Sequence, residues 1–419
     1  MSQIYRFRSG ANIALPGPGD DIEIEAVSLT AEDGGVSRGV LHRRSGSRPR
    51  VGVHLMHPRT DQSQNYNIAP LARAGYLVLG RAGRWVNNDI ATEHERLLFD
   101  MAAGVRLLRE RGCDQVVLLG NSGGGTLAAF YQSQALLTPG ERITHTAAGG
   151  AIDLAVTDLP LASGIVLIGA HSGEAACLGK WIDPCVVDEA DPYGVDPTLD
   201  MYDPNNGFAM PPQASHFDPA FLVRFRAGQR ARLERLDAMA RGFIAQRNGE
   251  AAAADRSDGF DAVRHERRAV VQHRMVIHRT MADPAFVDLS IEPDDRVISA
   301  YNNHPRPDLV NFGPSVASVL TPEAWLSTWS ALSSHADTAA CLVGVQQPLL
   351  VVHYCGDVIT RLSEVERFFG ACPSSDKKLV HVRHADHYGF SLAPDGTRGE
   401  RTSEGTEAVV SWMRERFAP

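Results

Sequence analysis

The stretch Val116-Val117-Leu118-Leu119-Gly120-Asn121-Ser122-Gly123-Gly124-Gly125 constrains this chain more than any other. In it a buried-strand run enters Gly-x-Ser-x-Gly, and helix formers follow from Thr126. A strand that turns so sharply into a helix leaves no room for side chains at Gly120 and Gly124, and it holds the Ser122 hydroxyl in the open. The first N–H groups of a helix have no partner inside it, so that of Gly123 is available to a developing negative charge. Ser122 is the candidate nucleophile and Gly123 a candidate oxyanion donor.

The flanking segments supply a sheet for that turn. Ile22–Leu29 and Val36–His42 read as an antiparallel hairpin. Val51–Met56, Tyr76–Leu79 and Gly164–Gly169 read as short buried strands, separated by helical stretches at Ile68–Ala74, Thr92–Arg111 and from the serine turn to Leu137. Strands alternating with helix-length segments imply right-handed crossovers and a mostly parallel, doubly wound α/β sheet covered on both faces. The rhythm breaks after Ala170 and resumes at the strand Pro348–His353, followed by a strand at Lys378–Val382 and a helix at Glu404–Phe417. The expected domains are therefore a core in two parts, 1–170 and 321–419, around an inserted, mainly helical cap at 171–320. Within the insertion, Asp218-Pro219 should start a helix carrying Phe221, Phe225, Leu236, Met239 and Phe243 inward. A second helical or mixed segment should run from Asp261 to about Met281.

At 419 residues and 43% hydrophobic, the chain can bury a large core, and a net charge of −9 gives no reason to expect nucleic acid as a partner. Met1 to Arg8 lacks the apolar run of a secretory signal, and no window approaches a membrane span, which implies a cytoplasmic protein. The six cysteines are scattered without a CxxC pair, so reduced thiols are expected rather than disulfides or zinc ligands.

A serine hydroxyl needs a histidine base, and the histidine needs a carboxylate. The strand after the insertion ends in Cys355-Gly356-Asp357, and the last strand ends in Arg383-His384-Ala385-Asp386-His387-Tyr388-Gly389, both on the edge of the sheet that carries Ser122. With GNSGG, GD and HADHYG in this order, the chain resembles the α/β-hydrolase superfamily over residues 20–170 and 320–419. The resemblance implies that His387 is the base, Asp357 its partner and Asp386 a neighbour, with His384 as the competing histidine. It also implies a second oxyanion donor after the strand ending at Met56. There the sequence is His57-Pro58-Arg59-Thr60, and because proline has no N–H, the donor falls to Arg59, with Thr60 second.

Arg59, Arg81 and Arg84 lie just beyond strands that point at this edge and are candidates for binding a substrate carboxylate, and His384 is a further substrate-binding candidate. The tract Asp188, Glu189, Asp191, Asp196, Asp200, Asp203 has hard oxygen ligands but no calcium-loop spacing, and it reads as turn chemistry rather than a metal site. The Arg/His run from Arg264 to Arg279 reads as a solvated helix face. The expectation is a serine hydrolase that cleaves a small to medium carboxylic ester through an acyl-enzyme, without a cofactor. Residues Phe208 to Phe225 are expected to form the apolar wall of its pocket. The alternatives are a carbon–carbon bond hydrolase acting on a ring-cleavage product, since GNSGGG is similar to the GNSMGG of those enzymes, and a non-catalytic ligand-binding protein on the same fold. The partners expected are a small-molecule ester and, at most, a second copy of the chain as a homodimer, with no nucleic acid and no membrane.

Overall fold

The computed structural model describes residues 19–419 apart from 87, 89, 301–303 and 314. The stretch Met1 to Arg8 lies outside the described residues. An eight-stranded sheet runs through the centre, built from β1 (Ile22–Thr30), β2 (Val36–Arg44), β3 (Val51–Met56), β4 (Leu77–Arg81), β5 (Gln115–Asn121), β6 (Gly164–Ile168), β9 (Leu349–Tyr354) and β10 (Lys377–Val382). The two-residue strands β7 (Met275–Val276) and β8 (Val319–Leu320) pair with each other away from it. The spatial order is β1-β2-β4-β3-β5-β6-β9-β10. The β1–β2 and β2–β4 pairs are antiparallel, and every later pair is parallel.

The two-residue period of the strands sorts their side chains onto two cores. Val116, Leu118, Ile165, Leu167, Leu349 and Val351 face one side, against α2 (His94–Glu110), α3 (Gly123–Leu136), α9 (Thr338–Leu342) and α10 (Leu362–Ala371). Val117, Leu119, Val166, Ile168, Leu350 and Val352 face the other, against α1 (Ile68–Arg73) and α11 (Glu404–Arg416). Both faces are therefore dry, as a parallel sheet requires.

Between β6 and β9 the chain supplies most of a third apolar cluster, which Val358 and Ile359 beyond β9 join. The segment contains α4 (Glu174–Trp181), α5 (Pro219–Ala254), α6 (Gly259–Ala269), α7 (Pro307–Phe312) and α8 (Pro322–Ala324), which runs into a π-helical turn at Trp325–Trp329. Asp218 caps α5 through its carboxylate, which accepts from the Ala220 N–H at 2.7 Å. Phe221, Phe225 and Leu236 are buried in the cluster and Phe243 packs against it, whereas Met239 faces outward. The cluster also takes in Trp325, Leu326 and Trp329, so the packing does not break at 320. Helix α6 buries none of its residues. The acidic tract forms turns, in which Asp188, Asp191, Asp196, Asp200 and Asp203 each accept from a backbone N–H two residues on. The six cysteines are buried free thiols. No helix among the described residues is long and apolar enough to cross a membrane.

Candidate active site

Strand β5 ends one residue before Ser122, and α3 starts one residue after it. Packing on both sides enforces the turn. A Cβ on Gly120 would lie 2.4 Å from the Gly124 oxygen, and one on Gly124 would lie 2.5 Å from the Met56 oxygen. Ser122 itself sits at φ 56°, ψ −128°, outside the basins open to ordinary residues. Its N–H donates to the Ile168 oxygen at 3.2 Å, and its own carbonyl accepts from Gly125 at 2.9 Å, so the strained residue is pinned at both ends.

The structure brings Ser122, His387 and Asp357 together. His387 Nε2 lies 2.9 Å from Ser122 Oγ, and its Nδ1 lies 2.6 Å from Asp357 Oδ2. A carboxylate can only accept, so Nδ1 carries the proton and Nε2 presents its lone pair to the serine hydroxyl. Asp357 is fully buried, and its other oxygen accepts from the Ile359 N–H at 2.7 Å. Burial alone would depress the His387 pKa, but the charge and hydrogen bond of Asp357 outweigh it and hold the imidazole above its ordinary value. The same coupling keeps the Asp357 carboxyl below its ordinary value despite burial.

Asp386 and His384 have other employment. Asp386 shapes the histidine loop by accepting from the N–H groups of Tyr388 and Phe390, each at 2.9 Å, and by pairing with Arg398 at 2.7 Å. His384 has φ 49°, donates its N–H to Asp295 at 2.9 Å and turns its ring outward, with the side chain 69% exposed. It lines a surface groove that does not include Ser122, which corrects its place among the substrate-binding candidates.

Arg81 and Arg84 are corrected too. The Arg81 guanidinium is buried and donates to the carbonyls of Ala82 and Asp100 and to the Ser37 hydroxyl. Arg84 bonds the carboxylates of Asp33 and Asp100. Neither lines the cavity at Ser122. Arg59 does line that cavity, its guanidinium stacked 4.8 Å above the Trp329 ring. Its N–H, the expected second oxyanion donor, already donates to His57 Nδ1 at 3.0 Å, and the Thr60 N–H shares that acceptor at 3.2 Å. Burial pushes the His57 pKa well down, so the ring is a neutral acceptor.

The cavity at Ser122 measures about 70 Å³; larger hollows lie elsewhere on the surface, near Arg50 and Arg111 and near His384. Its apolar walls come from Trp181, Val316, Trp329, Ile359 and Tyr388 rather than from Phe208 to Phe225. Phe217 instead stacks on Phe221, and Phe221 packs tilted against Phe225, inside the third cluster, and Phe208 packs against Tyr202. Three residues of the polar wall lay outside the sequence reading: Gln62, His171 and Glu174. The last two follow β6 within a few residues, and their position beyond a strand's C-terminal end was the signal that could have found them.

No protein-family model matches the sequence, and no curated protein matches it. Among solved structures 1016 chains match. One is DcsB in complex with its substrate analogue, at 12% identity and a TM-score of 0.49, covering 95% of this chain and 100% of that one. Est1E from Butyrivibrio proteoclasticus matches at 11% identity and a TM-score of 0.45, covering 94% and 99%. The esterase Pf2001 of Pyrococcus furiosus matches at 12% and 0.44, covering 95% and 92%. Likenesses this distant carry no weight in the reading of the site. The fold rests on the chain's own strand order and on the serine turn after its fifth strand: it is an α/β-hydrolase fold.

Proposed function

We propose that the chain is a serine hydrolase that cleaves a carboxylic ester with a short acyl group through an acyl-enzyme. The observation that carries this reading is the unbroken relay from Ser122 Oγ through His387 to Asp357, with bonds of 2.9 and 2.6 Å, at a strained turn. In the forward step Ser122 Oγ attacks the carbonyl carbon and His387 Nε2 takes the hydroxyl proton, while Asp357 balances the imidazolium. The carbonyl oxygen gains the negative charge and is received by the Gly123 N–H. A second donor arises if the Arg59 N–H turns from the neutral His57 ring to the oxyanion. His387 then hands its proton to the departing alcohol, and a water activated by the same nitrogen releases the acid.

The size of the cavity supports a short acyl group. A cavity of about 150 Å³ accepts a benzene-sized ligand, so about 70 Å³ leaves space for roughly half as many atoms. The segment between β6 and β9 contributes Trp181, Val316 and Trp329 to the walls, which supports a role for it in choosing substrates. The test is labelling with a fluorophosphonate together with burst kinetics on a chromogenic acetate ester. Ser122→Ala should lose both the label and turnover; a variant that keeps its activity and is labelled elsewhere sinks the reading.

A further inference from the structure

Glu174, the first residue of α4, is only 3% exposed, yet neither of its carboxylate oxygens has a hydrogen-bond partner. It lines the cavity at Ser122 and approaches the nucleophile turn so closely that a Cβ on Gly123 would lie 1.9 Å from Glu174 Oε1. Its ionic contact is with His94, whose Nε2 lies 3.5 Å from Oε2, beyond ordinary hydrogen-bond reach, and both ring nitrogens of His94 also lack a hydrogen bond. Burial holds the His94 imidazole below its ordinary value, against the pull of Glu174 and Glu95, so it does not bring a full positive charge to the carboxylate. A buried carboxylate without a hydrogen-bond donor beside a developing oxyanion is costly twice, once in desolvation and once in repulsion.

The rest of the wall shows what would remove both costs. Trp181 and Trp329, nearly fully buried, flank the same cavity, and Trp329 already carries one cation, the Arg59 guanidinium. A carboxylate and indole rings in the wall of one cavity are the chemistry that recognises an ammonium group. We propose that this cavity selects esters whose short acyl chain carries an ammonium group, as in a glycyl ester, with Glu174 as its counter-ion. The inference rests on Ser122 acting as the nucleophile. With the ammonium in place, the charge of Glu174 is neutralised next to the carbonyl under attack. With a neutral acyl chain, it opposes the oxyanion.

The experiment compares glycine methyl ester with methyl propionate, which exchange an ammonium for a methyl at the same size, at about pH 7 on the wild type and on Glu174→Gln. The wild type should favour the glycine ester by tenfold or more in kcat/KM. Glu174→Gln should lose at least tenfold on the glycine ester and gain on the propionate. Methylammonium should inhibit wild-type cleavage of the propionate, and methanol at equal concentration should not, a comparison that stands even if the variant fails to fold. Equal losses on both esters, or no wild-type preference and no inhibition by methylammonium, overturn the ammonium site while Ser122-dependent cleavage of the propionate leaves the hydrolase reading standing. Cleavage of both esters by Ser122→Ala overturns both.

Discussion

The backbone of Ser122 makes a prediction about stability that does not depend on the substrate. At φ 56°, ψ −128° a residue with a Cβ is strained by about 1–3 kcal/mol, and glycine is not. Ser122→Ala and Ser122→Gly both delete the hydroxyl and its bond to His387, so those losses cancel when the two variants are compared. The difference between them is the strain relieved, less the extra conformational entropy that glycine loses on folding, about 0.5–1 kcal/mol. Ser122→Gly should therefore be the more stable of the two by about 1 kcal/mol. Ser133, inside α3 with its hydroxyl donated to the Phe130 oxygen at 2.7 Å, is the control. There glycine should be worse than alanine by about 1 kcal/mol. The entropy cost is common to both sites, so the alanine-to-glycine difference at 122 minus that at 133 isolates the strain. Urea midpoints read at equal slope give each value. If glycine is destabilising at 122 to the same extent as at 133, the turn stores no strain and the reasoning fails.

Asp357→Asn should leave the fold in place and lower kcat about 10⁴-fold, because an amide can orient the imidazole in the wrong tautomer. The base works only when neutral, so a raised His387 pKa puts the acid limb of kcat/KM above the ordinary histidine value of about 6.5, and Asp357→Asn should move that limb to lower pH; a pH profile of the two proteins checks the sign. Arg84→Gln takes the guanidinium from the buried Asp100 carboxylate and leaves it the backbone N–H of residue 84, and loss of one member of such a pair costs up to about 3–5 kcal/mol, so the denaturation midpoint should fall while kcat/KM for carboxylate-bearing and neutral esters changes alike. A selective loss on the charged ester would return Arg84 to substrate binding. Asp386→Asn should lower the melting temperature while kcat stays within about tenfold of the wild type, since the loop it ties presents His387 without Asp386 touching the imidazole.

The sheet was legible because short apolar runs bounded by turns leave few alternatives: Val51–Met56 has the same limits in sequence and structure, and β5 differs from its reading only by Gln115, Gly120 and Asn121. The approach of Asp357 and His387 to Ser122 was legible for a topological reason, since parallel strands deliver all their following loops to one edge. That rule places a residue near the edge without saying which way its side chain turns. Arg81 ends β4 and Arg84 follows it, yet Asp100 on α2, Asp33 on the first hairpin loop and Ser37 on β2 claim their guanidinium groups, and no local pattern announces those partners. The pocket wall was out of reach for a similar reason. Trp181 and Trp329 meet only because α4 and the π-helical turn pack together, whereas the Phe208–Phe225 segment that looked more apolar is used up within its own cluster.

The strand order also sets a timetable. Ser122 and His387 are separated by 265 residues, and Asp357 precedes His387 by only 30. A ribosome adding about 5–20 residues per second completes the serine turn tens of seconds before it makes the base. In the proposed mechanism the nascent chain then holds Ser122 without His387, so acylation by that route waits for the last strand of the sheet. Strand β6 meanwhile waits with a bare edge until Leu349–Tyr354 arrives to pair with it, and that edge is where a stalled chain is exposed to wrong pairing.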